Sequence, residues 1–153
     1  MPAPLLVFGY GNPSRGDDAL GPEFVRRLEQ RCDDAIASGA LEVLTDFQLQ
    51  VEHALDLKGR AQVYFVDASA ADGAPGYEIR PLVATSGATF TTHAQSPAAL
   101  LQTYGEVMQE RAPEAFVIAI RGERFELGEA MSDEAERNLE WALGEFVVRV
   151  VGV

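Results

Sequence analysis

An apolar run, Leu5-Leu6-Val7-Phe8, passes into a glycine-rich loop, Gly9 to Pro22, and then into a stretch of helical periodicity. No other part of the chain limits its fold as strongly. The run reads as a buried strand. From Pro22 to Ile36 the apolar residues Phe24, Val25, Leu28, Cys32 and Ile36 fall on one helical face. Gly21 as cap and Pro22 at the first position open this helix in the reading. Open α/β sheets place their sites at such strand-to-helix loops. This one carries Arg15, Asp17 and Asp18 among glycines that let backbone come close to a ligand.

The rest of the chain repeats the alternation. Strands are expected at Leu5–Gly9, Leu41–Thr45, Val63–Val66, Tyr77–Val83 and Ala115–Ile120. The run Val63–Val66 lacks alternation, which predicts a strand buried on both faces and parallel to its neighbours. A short amphipathic helix is expected at Val51–Leu57, and a turn at Asp72-Gly73. Thr85–His93 reads as a loop or short strand. Ser96 caps a third helix with Pro97 at its first position, burying Leu100, Leu101, Tyr104, Val107 and Met108 until Pro113 breaks it. Ser132 caps a last helix, whose Leu139, Leu143, Phe146, Val147 and Val150 line one stripe. The pattern predicts an α/β fold: a three-layer α/β/α sandwich on a largely parallel sheet. One domain, 1–153, is expected.

Charge and composition exclude several roles. The net charge is −12 at pH 7, from 24 Asp and Glu against 12 Lys and Arg. Phosphate backbones and anionic membranes repel such a chain, so no nucleic acid and no membrane is expected as partner. The one cysteine, Cys32, permits neither an intramolecular disulfide nor a cysteine-based zinc site, and reads as a buried apolar residue. No long apolar segment or signal peptide is recognisable, which predicts a cytoplasmic protein. The last helix has no heptad seam that demands a dimer, so a monomer is expected.

Chemistry concentrates at three places: Asp18 after the first strand, Asp67 at the end of the third, and His93 before the third helix. In a parallel sheet the first and third strands can be neighbours, with their carboxyl ends at one edge. Two carboxylates and an imidazole suit a borderline divalent ion with coordination positions left open. Without a metal, the carboxylates could split their proton affinities and work as an acid–base pair on a water. Either Asp17 or Asp18 could face the site, the other being a turn residue. His53 reads as lying on a solvated helix face, the alternative being that its short helix lines the same sheet edge. The glycines do not form a dinucleotide fingerprint, because their spacing is G-x-G-x-x-x-x-G and Pro13 removes an N–H. No G-x-S-x-G elbow is present.

The residues Leu6 to Pro13 (Leu-Val-Phe-Gly-Tyr-Gly-Asn-Pro), then Gly16-Asp17-Asp18-Ala19-Leu20-Gly21, Phe65-Val66-Asp67-Ala68 and Thr92-His93, resemble the ordered motifs of the hydrogenase maturation endopeptidases. That family trims a C-terminal peptide from the large-subunit precursor of NiFe hydrogenases. Asp46-Phe47-Gln48-Leu49 and Glu52-His53-Ala54 look most like the branch serving bidirectional, NAD-linked hydrogenases. The resemblance implies a twisted five-stranded sheet between helices and an aspartic-type peptidase. It implies that Asp18, Asp67 and His93 contact nickel, the ion already inserted in the precursor; another divalent ion such as zinc or cadmium could occupy the same ligands. It also implies that Asp18 or Asp67 is the catalytic base, while Gly11, Asn12, Gly16 and Asp17 support the loop or touch substrate. The first acid of the motif is often Glu in that family and is Asp here. Two other classes fit the residues: a nickel-sensing binding module without hydrolysis, and a small-molecule hydrolase on a related sheet.

Overall fold

The computed structural model describes residues 2–70, 75–84 and 95–152. The turn expected at Asp72-Gly73 and the segment Thr85–His93, including His93, lie outside the described residues. Five strands form one sheet: β1 (Leu5–Tyr10), β2 (Leu41–Asp46), β3 (Gln62–Ser69), β4 (Tyr77–Leu82) and β5 (Glu114–Arg121). Their spatial order is β2-β1-β3-β5-β4. β2, β1, β3 and β5 run parallel, and β4 closes the edge antiparallel to β5. Among the described residues the antiparallel edge strand is the one departure from parallel pairing.

Alternation along the strands separates two cores. Val7, Val66, Ile118 and Ile120 face α1 (Leu20–Arg31) and, once the chain has passed through the short α2 (Asp33–Ala37), α3 (Pro97–Met108) and β5, α4 (Asp133–Phe146). Leu6, Phe8, Val63, Phe65 and Val117 face the 3-10 helix Val51–Leu57 and α3. The layers are therefore helix, sheet and helix, as the pattern predicts. Ser96 and Ser132 cap α3 and α4, each accepting the N–H three residues on, from Ala99 and Ala135.

Several local expectations change. α1 begins at Leu20 with Ala19 as its cap, because the 3-10 turn Gly16–Ala19 already feeds the helix. Pro22 still sits in the first turn, where its missing N–H is harmless. Gly21 serves a different purpose: a Cβ there would stand 2.4 Å from the Tyr10 carbonyl oxygen and 2.7 Å from that of Val66. The expected helix to Ile36 breaks at Cys32, buried as foreseen, and α2 restarts with Asp33 and Asp34 in its first turn, where the helix dipole favours anions. α3 stops at Met108, before Pro113, with Gln109 in the left-handed conformation. Val107 is turned outward and is 65% exposed, so it is no part of the buried stripe.

Gly21 lets α1 seat directly against the ends of β1 and β3. Gly21→Ala is expected to cost about 1–3 kcal/mol through overpacking. Thermal unfolding followed by circular dichroism should show a Tm roughly 5 °C lower.

Candidate active site

The strand order reverses direction between β1 and β3, and the crevice at such a switch point is where α/β sheets bind ligands. β1 ends at Tyr10, and the loop after it carries Asp17 and Asp18. β3 carries Asp67 opposite that loop; it lies within the strand, which continues to Ser69. Asp67 alternates with Val66 and Ala68, which belong to the first core, so its side chain points to the face of the second.

The adjacent acids have different jobs. Asp17 is completely buried, at 0% exposure. Its Oδ2 accepts the N–H of Glu123 at 2.6 Å, the N–H of Arg124 at 3.0 Å and the Ser132 hydroxyl at 2.7 Å. Its Oδ1 accepts the Ser132 N–H at 2.7 Å. Burial alone would push this carboxyl up, but the donors from Glu123, Arg124 and Ser132 outweigh it and hold the carboxyl below the usual range. Asp17 is thus the anchor of the loop. One residue of a 3-10 turn rotates the side chain by about a third of a circle, so Asp18 points elsewhere. Asp18 Oδ2 accepts the Asn12 N–H at 2.6 Å.

Gly11 makes that arrangement possible. A Cβ at Gly11, whose φ is +148°, would lie 2.0 Å from the Asp18 carbonyl oxygen. Its N–H donates to the Asp46 carbonyl at 3.0 Å, tying the loop to the end of β2. Gly16, also with positive φ, donates to the Glu129 carbonyl, and Arg15 is exposed.

Asp67 Oδ2 accepts the Tyr10 hydroxyl at 3.1 Å. Burial pushes the Asp67 carboxyl up to about 6, with the Asp18 charge adding to the rise, while the Tyr10 hydroxyl and the Ala68 N–H pull the other way. Burial first, then the charges of Asp67 and Asp18, push the Tyr10 hydroxyl far up, which keeps it a donor. Asp18, Asp67 and Tyr10 therefore lie within electrostatic reach of one another. Sequence reasoning missed Tyr10; the signal available was a polar aromatic at the carboxyl end of the first strand. His53 is not on a solvated face. Its Nδ1 accepts the Gln50 N–H at 2.8 Å, its Nε2 stands 3.1 Å from Asp46 Oδ2, and its ring meets Phe8 edge-on. Among the described residues no three His, Cys, Asp or Glu side chains cluster as a metal site.

No family model matches the sequence, and no curated protein matches it. Solved structures do. The hydrogenase maturating endopeptidase HybD from E. coli aligns with a TM-score of 0.74 at 22% identity, over 99% of this chain and 94% of that one. The NiFe hydrogenase maturation protease HycI from Thermococcus kodakarensis aligns with a TM-score of 0.71 at 21% identity, over 93% and 88%. This is the hydrogenase maturation protease fold. An endopeptidase from Escherichia coli, solved in solution, shares it with a TM-score of 0.69 at 21% identity, over 100% of this chain and 95% of that one. Among the described residues no helix is long and apolar enough to cross a membrane.

Two predictions follow from the unlike acids. Asp17 has a depressed folded pKa, so its stabilisation is present above the unfolded value, about 4, and is lost as pH falls through the folded one. Asp17→Asn should destabilise by about 2–4 kcal/mol at pH 7, and its deficit in chemical denaturation should shrink below about pH 4. Asp67 has the opposite sign. Its raised pKa gives stability that is full below about 4 and lost as pH rises through about 6. Asp67→Asn should therefore raise stability at pH 7, by at most about 3 kcal/mol, with no gain at pH 4.

Proposed function

We propose that this protein is an endopeptidase that removes the C-terminal peptide of a NiFe hydrogenase large-subunit precursor once nickel has been inserted. The observation that carries the reading is that Asp18 lies within electrostatic reach of Asp67 at the switch point of a fold shared, over nearly its whole length, with hydrogenase maturation proteases. The ordered motifs around Gly11, Asp18, Asp67 and His93 support the same reading. Asp46-Phe47-Gln48-Leu49 favours a precursor of the NAD-linked type.

Nickel belongs to the substrate in this scheme. Asp18, Asp67 and His93 are the residues that contact it. Carboxylate and imidazole donors suit a borderline divalent ion, and three of them leave positions for ligands from the precursor. Nickel then serves as the token that the precursor is loaded.

Cleavage proceeds by attack of water on the peptide carbonyl, in the manner of an aspartic-type peptidase. Asp18 takes the proton from water as general base. Asp67, whose burial raises its pKa to about 6, donates from its protonated form to the carbonyl oxygen. Asp18 then passes the proton it took from water to the leaving amine, and the hydroxyl of the collapsing intermediate returns its proton to Asp67. The Tyr10 hydroxyl keeps Asp67 turned toward the crevice. The backbone N–H groups of Gly11, Asn12, Ser14, Arg15 and Gly16 all donate within the protein, so they shape the loop that carries Asp18.

The test is to mix the protein with nickel-loaded and nickel-free precursors and follow the C-terminal peptide by mass. Release from the loaded form alone is expected. Asp18→Ala, Asp67→Ala and His93→Ala should each lower kcat/KM by about 100-fold or more with the fold retained. Full activity in Asp67→Ala contradicts the mechanism. Stable complex formation without a change in mass points to a nickel-sensing chaperone instead.

A further inference from the structure

Beside Asp67 lies an open hollow of about 460 Å3, within the range of pockets that hold ligands. It exists because two strands outrun their neighbour. β1 pairs with β3 only as far as Gly9 and Val66, whereas β3 pairs with β5 as far as Ser69 and Arg121.

Register sets its walls. Ala119 of β5 stands between Asp67 of β3 and Glu78 of β4. One step back along β5, Val117 stands opposite Arg80; one step on, Arg121 stands opposite Ser69. Alternation puts Asp67, Ala119 and Glu78 on one face of the sheet, so the Ala119 methyl is the low point between two taller side chains. Arg80 is held by Glu78 of its own strand. Arg121 reaches Glu134 only at 3.4 Å, a loose tie for a side chain with five N–H donors.

The hollow therefore has an apolar floor, two arginines in its lining and a carboxylate of the crevice at its end. That set matches an extended peptide, whose side chain needs a floor and whose carbonyl oxygens need donors.

We infer that this hollow is the specificity pocket for the precursor residue that adjoins the cleaved bond. Ala119 sets the size of side chain admitted, and Arg121 donates to a carbonyl of the extended segment. This rests on the endopeptidase reading and adds where the peptide lies.

Ala119 is only partly buried, so a larger side chain there has room to stand in the hollow. The experiment measures cleavage of the nickel-loaded precursor by wild type, Ala119→Leu and Arg121→Ala, with Tm recorded for each. Ala119→Leu should lose about tenfold or more in kcat/KM, chiefly through KM, with Tm within a few degrees of wild type. Arg121→Ala should lose about tenfold, also through KM, as expected for one charge-assisted hydrogen bond. It keeps the inference testable if Ala119→Leu does not fold, because the Asn138 amide donates to the Arg121 main-chain oxygen, which that variant retains. Wild-type kinetics in both Ala119→Leu and Arg121→Ala overturn the inference and leave the endopeptidase reading standing. No peptide release by wild type overturns that reading, and this inference with it.

Discussion

A buried carboxylate with all its acceptor needs met is the interaction the site depends on. Asp17 takes four hydrogen bonds from three residues more than a hundred positions away. An ionised group with no access to water is tolerable only when so surrounded. One of the three partners, Ser132, is also the cap of α4, so the same few atoms join the first loop, the segment after β5 and the start of the last helix. With Asp17 turned inward, the tight turn directs its neighbour's side chain elsewhere, where it accepts the Asn12 N–H. Two acids side by side thus take different partners.

The crevice that receives Asp18 follows from topology. After β1 the chain goes to one side for β2 and returns to the other for β3, which leaves a gap above the carboxyl ends. Asp67 enters the gap from β3, and Tyr10 closes it from β1. Partial burial there raises the proton affinity of Asp67, and the neighbouring negative charge raises it further. A group with a proton affinity near neutrality, in a place where charge is costly to keep, suits proton transfer better than it suits stability.

Much of this was legible in the chain itself. The strand runs announced a parallel sheet, since Val63–Val66 is apolar on both faces; four observed strands run longer than expected and β4 ends one residue sooner, at Leu82. Ser96-Pro97 and Ser132 marked helix starts through capping chemistry, which is local and therefore readable. What escaped was set by contacts across the fold. Gly21 looked like a cap, yet it is glycine because a carbonyl from β1 and another from β3 crowd it. His53 looked solvated, yet Gln50 and Asp46 bracket its ring. The division of labour between Asp17 and Asp18 could not be read from spacing, because the donors that decide it come from Glu123, Arg124 and Ser132. Tyr10 went unnoticed for the same reason: its partner lies on another strand. His93 falls outside the described residues.

The central claim is that Asp18 and Asp67 share one crevice while Asp17 does not. Carbon-13 NMR of the three carboxyl groups across a pH titration measures this directly. Asp67 should titrate with a midpoint of about 6, that midpoint should fall when Asp18 is replaced by Asn, and Asp17 should titrate below the usual carboxylate range in both proteins. A midpoint for Asp67 near about 4, the value of a free aspartate, and unmoved by the change at Asp18, would contradict the account.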